Sequence, residues 1–155
     1  MFTLIEGLKY GAAAAMGLFS GGALYINAVE HYSRRSLPVE AQRQQWANSF
    51  NIGKLTMPSM GLIGAGCGTA VFFFLDESEY KYYWLVGPAL FFIGGIFSVT
   101  MMLPEINVLL DNGVVEKKGA AWVRDAIDRW NYRHMFRTFI DCAAYFLYLY
   151  LAMKS

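Results

Sequence analysis

Four long apolar stretches alternate with polar connections along the chain. They lie at about 8–29, 55–75, 84–103 and 135–153, and each can cross a hydrocarbon core of about 30 Å as a helix. None shows the strict alternation of apolar and polar positions that is typical of barrel strands. Because lipid tolerates only helices and closed barrels, the pattern predicts an all-α fold: an integral membrane four-helix bundle, with residues 1–155 forming a single membrane domain.

The first long polar connection, residues 30–54, contains a further helix signal. Ser36 and Pro38 form a typical helix start, and Val39, Trp46 and Phe50 follow at spacings that place them near one another on a helix. This pattern predicts a short amphipathic helix lying at the membrane interface, with Trp46 at the depth of the lipid headgroups.

The composition agrees with a membrane protein. Hydrophobic residues make up 56% of the chain and charged residues 16%, whereas about a quarter of the residues in a soluble domain are charged. The net charge of +1 and the lack of a basic stripe argue against a nucleic-acid partner. Membrane lipids are the expected surroundings. Cys67 and Cys142 both lie inside apolar runs and are interpreted as buried small residues.

Positive charge is distributed unevenly between the connections. The first and third connections and their edges contain ten of the thirteen basic residues: Arg34, Arg35, Arg43, Lys54, Lys117, Lys118, Arg124, Arg129, Arg133 and Arg137. By the positive-inside rule, both long loops are predicted on the cytoplasmic side, or on the matrix side of an organelle. Both termini are then predicted on the opposite side.

Polar residues occur near the predicted membrane boundary in two places before the last span. Asn27 and His31 share one helix face at the end of the first span, and Glu30 flanks that face. Glu105 and Asn107 follow the end of the third span. Polar groups at this depth usually face a bundle interior or a cavity, although a helix end that meets water would also explain them.

The start of the fourth span contains a longer polar stripe. Trp130, His134, Arg137 and Asp141 are spaced by 4, 3 and 4 residues, so they lie on one helix face, which continues to Tyr145. Arg129 and Arg133 lie off the stripe and are interpreted as anchors that reach lipid phosphates. Because a carboxylate inside a span is costly in lipid, the stripe is predicted to face the bundle. With this topology the three groups meet on the loop side as a polar pocket.

Short motifs in a fixed order give the chain a family resemblance. They are Val29-Glu30-His31, then Trp46, Phe50 and Pro58, then Pro104-x-x-Asn107-x-x-Leu110, and finally Arg129-Trp130-x3-His134-x2-Arg137. In this order they resemble the anthrone-oxygenase-like family of small four-helix integral membrane proteins. The chain has Tyr32 where the family pattern would have a proline.

The resemblance implies an oxidoreductase or monooxygenase that acts on a lipophilic, anthrone-like aromatic with molecular oxygen. An anthrone is a carbon acid, so the minimum requirement is a base together with hydrogen-bond donors for the developing oxyanion, and no cofactor is required. His134 or His31 would be the base, and Asn107, Arg137 and Trp130 the donors. Glu30 or Asp141 would orient a histidine, and Asn27 and Tyr145 complete the expected substrate-binding residues.

Other functions use the same sequence features. His31, His134 and Glu105 form a set that could bind iron or copper, although no local ligand motif accompanies it. A non-catalytic transmembrane accessory subunit of a larger membrane complex, such as a respiratory or photosynthetic assembly, would also explain the small size and abundant aromatic residues. A small transporter is a third alternative, but the two halves of the chain show no inverted repeat.

Overall fold

A computed structural model describes residues 3–155, and this part of the chain is helical without strands. The helices are α1 Leu4–Arg34, α2 Val39–Phe74, α3 Lys81–Leu109, α4 Val114–Lys118 and α5 Ala120–Lys154. By length and composition α1, α2 and α3 can each cross a membrane. The fourth expected span, residues 135–153, is the second half of α5. Because of its polar residues, α5 is not among the helices that are apolar enough to cross a membrane by this criterion.

The four long helices form a bundle in which each has two main neighbours. Helix α1 packs against α2 and α5, and α3 packs against the same two helices. Gly64 shows how closely α1 and α2 approach, because a Cβ atom there would lie 3.1 Å from the backbone nitrogen of Met16 and 3.3 Å from the carbonyl oxygen of Ala12. Small residues permit such backbone contact between membrane helices. The all-α bundle expected from the sequence is confirmed.

The first long connection differs from the expectation in one respect. Its residues 39–50 are helical, but they are the beginning of α2 and not a separate short helix at the interface. Trp46 is fully buried there, stacked on Phe50 and edge-on to Trp130, each at a centroid distance of 5.5 Å. Its ring therefore packs inside the bundle and does not face lipid. Helix α2 has 36 residues and is about 54 Å long, which leaves room for a segment beyond the hydrocarbon core.

Two π-helical turns interrupt the long helices. One is Ile26–Glu30 in α1 and the other is Ser98–Met102 in α3. Helix α3 continues past the proline that marked the expected end of its span, because Pro104 occupies the first turn after the π-helical turn, where a missing backbone N–H is tolerated. Single π-helical turns are frequent at functional sites.

Apolar side chains form two separate clusters at opposite ends of the bundle. The loop-side cluster includes Trp46, Leu109 and Ile127, whereas the cluster at the other end includes Phe19 and Tyr148. On α5 the buried polar residues lie between the two clusters, and they are Asn131, His134, Thr138 and Asp141. The fold thus places a polar layer between two apolar regions.

Candidate functional site

Asn27 is the centre of a buried hydrogen-bond network between α1 and α5. Its Nδ2 donates to Oδ1 of Asn131 at 2.7 Å and to the backbone oxygen of the same residue at 3.1 Å. Its Oδ1 accepts from the hydroxyl of Thr138 at 2.6 Å and lies 3.0 Å from Nδ1 of His134. All four side chains are buried, so the network lies inside the bundle.

This network determines which nitrogen of His134 carries the proton. The backbone carbonyl of Asn131 is only an acceptor, so the Asn27 atom that faces it must be the amide nitrogen. The oxygen of Asn27 therefore faces His134, and Nδ1 must be the donor. In the neutral imidazole the other nitrogen, Nε2, then has a free lone pair, and it has no hydrogen-bond partner in residues 3–155. The arrangement supplies a potential base.

His134 lines a pocket between the four long helices. The pocket has a volume of about 90 Å³, which is smaller than the ~150 Å³ cavity that accommodates benzene in another protein. Its aromatic walls include Trp46, Phe50 and Trp130, and the Trp130 ring stacks on His134 at a centroid distance of 4.9 Å. Met57 and Met102 also line it, and flexible methionines allow such a site to change shape.

The predicted stripe on α5 lies inside the bundle. Trp130, His134 and Asp141 are buried, and Arg137 is largely buried. Arg137 Nε lies 3.7 Å from Asp141 Oδ2, and its guanidinium lies over the ring of Phe19 at 5.1 Å. Arg137 lines the pocket with Trp130 and His134, whereas Asp141 does not.

His31 and Glu30 lie outside the lining of the pocket in which the sequence predicts them. His31 is buried, but its Nε2 lies 3.2 Å from Oδ1 of Asp128, and it is outside the pocket lining. Glu30 forms an ion pair with Arg34 one turn along α1. Neither Glu30 nor Asp141 contacts a histidine, because each carboxylate pairs with an arginine of its own helix. The partner of His134 is Asn27.

Three further candidate residues also lie away from the pocket. Asn107 is exposed on α3, and Tyr145 packs against Gly17 of α1. Glu105 accepts hydrogen bonds from Arg129 at 2.7 Å and from Arg133 at 2.9 Å. These two arginines join α3 to α5 through Glu105.

The set of possible metal ligands is dispersed. In residues 3–155 no three His, Cys, Asp or Glu side chains form a group that could hold a metal ion. His31 pairs with Asp128, His134 with Asn27, and Glu105 with two arginines. The donor set of His31, His134 and Glu105 therefore does not fit one metal centre.

Sequence reasoning missed several residues of the site. Asn131 and Thr138 complete the network around Asn27, and Arg34 is a buried residue of the pocket wall. Asn131 and Thr138 lie one and four residues from the stripe residues Trp130 and His134, which was the available signal. No sequence signal indicated Arg34, because an arginine beside Arg35 at the end of a span is typical of a charged loop.

The fold and the site together define an α-helical membrane protein with a buried histidine in the wall of an aromatic pocket. The comparison with protein families gives the same result: the anthrone oxygenase model matches residues 46–147. The chain belongs to the anthrone oxygenase family, as its motifs indicated. No curated protein and no solved structure gives a significant match to it.

Proposed function

We propose that this protein is a membrane-embedded oxidoreductase that oxidises a lipophilic, anthrone-like aromatic with molecular oxygen. The observation that carries the proposal is the contact between Asn27 Oδ1 and His134 Nδ1, which leaves Nε2 as a hydrogen-bond acceptor in a pocket-lining residue. Family membership supports an oxygenase-type role. The aromatic side chains of the pocket suit a flat hydrophobic ligand. Because the volume is only about 90 Å³, the proposal requires Met57 and Met102 to move when the ligand binds.

The proposed reaction begins with proton transfer from carbon. His134 Nε2 takes a proton from the acidic CH₂ group, and the carbanion is delocalised onto the oxygen of the existing carbonyl group as a phenolate-like anion. The carbon then bonds to O₂, and the resulting peroxide anion takes up the proton from His134 to become a hydroperoxide. Loss of water breaks the O–O bond and forms the new carbonyl. One CH₂ becomes C=O and one O₂ becomes that carbonyl oxygen and water, so four electrons pass from carbon to oxygen.

The developing negative charge needs hydrogen-bond donors, and Trp130 and Arg137 are placed for that role. The Nε1–H of Trp130 is buried without a partner in the described chain, and its ring stacks on His134. Arg137 lines the same pocket. Donors fixed in a site from which water is excluded stabilise charge that forms in a transition state.

The proposal includes no cofactor, because a base and donors meet the chemical requirement. Extensive dialysis against EDTA tests this point. Oxygen consumption that survives the treatment agrees with a reaction at the protein side chains alone. Loss of activity that iron or copper restores would assign the chemistry to a metal.

We further propose an orientation in the membrane. Both long loops face the cytoplasm or the organelle matrix, because ten basic residues lie in and beside them. The termini face the opposite side. Single cysteines at the exposed positions Gln44 and Lys154, in a variant without the two natural cysteines, distinguish the sides. In sealed right-side-out vesicles an impermeant maleimide should label position 154 alone, and the reverse labelling would contradict the proposed orientation.

The test of the proposed function is oxygen consumption by the purified protein in mild detergent. With an anthrone as substrate and spontaneous oxidation subtracted, we expect quinone formation with one O₂ used per product. His134→Gln should lower the rate about 100-fold or more, the usual range for a general base. His31→Gln is the matched control, because His31 lies outside the pocket, and its rate should stay near that of the natural protein.

Two results would contradict the proposal. One is an unchanged rate in a folded His134→Gln variant, with folding checked by circular dichroism. The other is isolation of the protein as a stoichiometric component of a large membrane complex without oxygen consumption. That second result would support the accessory-subunit alternative.

A further inference from the structure

Arg34 is a buried arginine whose hydrogen-bonding groups are mostly unused. Its side chain is 1% exposed, and it forms an ion pair through Nη2 with Glu30. Nε and Nη1 are buried and have no hydrogen-bond partner in the described chain. Because a buried polar group without a partner is unfavourable, these two donors indicate a missing acceptor. Arg34 lines the pocket that contains His134.

Trp46 provides a second unused donor from another helix. It is fully buried, its Nε1–H has no partner in residues 3–155, and it lines the same pocket. No aspartate or glutamate is among the described residues that line this pocket. The wall thus offers donors from α1 and α2 without a carboxylate that would oppose an anion.

The charges around the pocket also favour an anion. Glu30 balances Arg34, and Asp141 balances Arg137. Lys54 lines the exposed side of the pocket, where it donates a hydrogen bond to Asn51 but has no carboxylate partner in the described chain. One positive charge without a carboxylate partner in the described chain therefore lies on the wall of the same pocket as the unused donors.

We infer that Arg34 and Trp46 form a subsite for the carboxylate of an aromatic ligand, separate from the base His134. Two donors on different helices suit the two oxygen atoms of a carboxylate, and a charged donor strengthens such hydrogen bonds. The ring would lie against Trp130 and Phe50. The ligand would be an aromatic acid whose reacting carbon faces His134. Its identification as a substrate rests on the proposed function.

Binding of single-ring probes to the purified natural protein tests the subsite. Isothermal titration calorimetry should show that benzoate binds at least ten-fold more tightly than benzamide, which has nearly the same shape without the charge. Hexanoate tests whether the carboxylate belongs to an aromatic acid or to a fatty acid, because it has a carboxylate and no ring. It should bind several-fold more weakly than benzoate, and equal binding would overturn the aromatic assignment.

Variants connect the binding to the named donors. The double variant Glu30→Gln/Arg34→Gln removes the ion pair without leaving one charge buried alone, and it should abolish the preference for benzoate. Trp46→Phe removes the indole N–H but keeps a ring, and it should weaken benzoate binding about three-fold or more. Trp122→Phe is the matched control, because Trp122 lies outside the pocket, and it should bind benzoate like the natural protein.

The subsite is overturned if benzoate and benzamide bind equally to the natural protein. It is also overturned if the preference persists in the folded double variant. Should the double variant fail to fold, an unchanged benzoate affinity in Trp46→Phe would overturn it. These measurements involve no turnover, so a protein that consumes no oxygen with an anthrone can still show the subsite, and an active one can lack it.

Discussion

Asn27 and Asn107 are two asparagines that are predicted in one site and that the structure separates. Replacing Asn27 by leucine, which has nearly the same shape, removes the donor and the acceptor between α1 and α5. Oδ1 of Asn131 and the Nδ1–H of His134 then lose their interhelical partner, whereas Thr138 can still donate to the backbone oxygen of His134 at 2.9 Å. Asn107→Leu is the matched control, because Asn107 is exposed.

The magnitude follows from the two groups left without partners. Each buried polar group without a partner costs about 1–3 kcal/mol, although hydrogen bonds between membrane helices average only about 0.6 kcal/mol. We therefore expect Asn27→Leu to lower the free energy of unfolding by about 2–4 kcal/mol. Asn107→Leu should change it by about 0.5 kcal/mol or less, as is usual for surface substitutions.

Two measurements check this prediction. Denaturant unfolding in mild detergent, followed by circular dichroism, gives the difference in free energy between the variants. Nitrogen NMR of the labelled imidazole reports the tautomer, and His134 should be protonated at Nδ1 in the natural protein. Equal stability of the two leucine variants, or a natural protein with its proton on Nε2, would refute the network as described.

Three further predictions concern stability. Gly68→Ala should destabilise the protein by about 1–3 kcal/mol in the same unfolding assay, because its Cβ would overlap the Tyr148 ring; Gly66→Ala, with open space around it, should not. Tyr148→Phe should leave stability unchanged or raise it by about 1 kcal/mol, since the buried hydroxyl has no partner in the described chain. A clear loss of stability would contradict this, because it would show that the hydroxyl has a hydrogen-bond partner. Hydrogen bonds from Lys117 and the Gly113 amide lower the pKa of Asp111, so the stability difference from Asp111→Asn should be constant above about pH 5 and vanish as the pH falls through the lowered pKa. A difference that persists at about pH 2 would contradict this assignment.

The helices were predictable from the sequence because each apolar run is long enough to settle its own conformation. The stripe on α5 was predictable for the same reason, since a spacing of three and four residues places side chains on one face whatever the neighbours are. Trp130, His134 and Asp141 are accordingly buried. Local periodicity therefore identified the side chains that face the bundle.

The partners of these side chains were not predictable, because they depend on how two helices are rotated against each other. The sequence predicts that Glu30 or Asp141 orients a histidine, but Glu30 pairs with Arg34 and Asp141 with Arg137. The actual partner, Asn27, lies in the π-helical turn Ile26–Glu30. A π-helical turn changes the direction of the following side chains, and no signal in the sequence indicated it.

The position of the pocket along the bundle is the feature that relates the fold to the proposed reaction. Helices α2 and α5, with 36 and 35 residues, are each more than about 50 Å long, whereas the hydrocarbon core is about 30 Å thick. The polar layer lies between an apolar cluster at the chain termini and a second cluster on the loop side, and we propose that the pocket lies near the boundary of the hydrocarbon core. In the proposed reaction a lipophilic carbon acid would arrive there from the membrane, and the water that forms would leave on the aqueous side. A base deeper in lipid would be separated from water, and a base in the loops would be separated from the substrate.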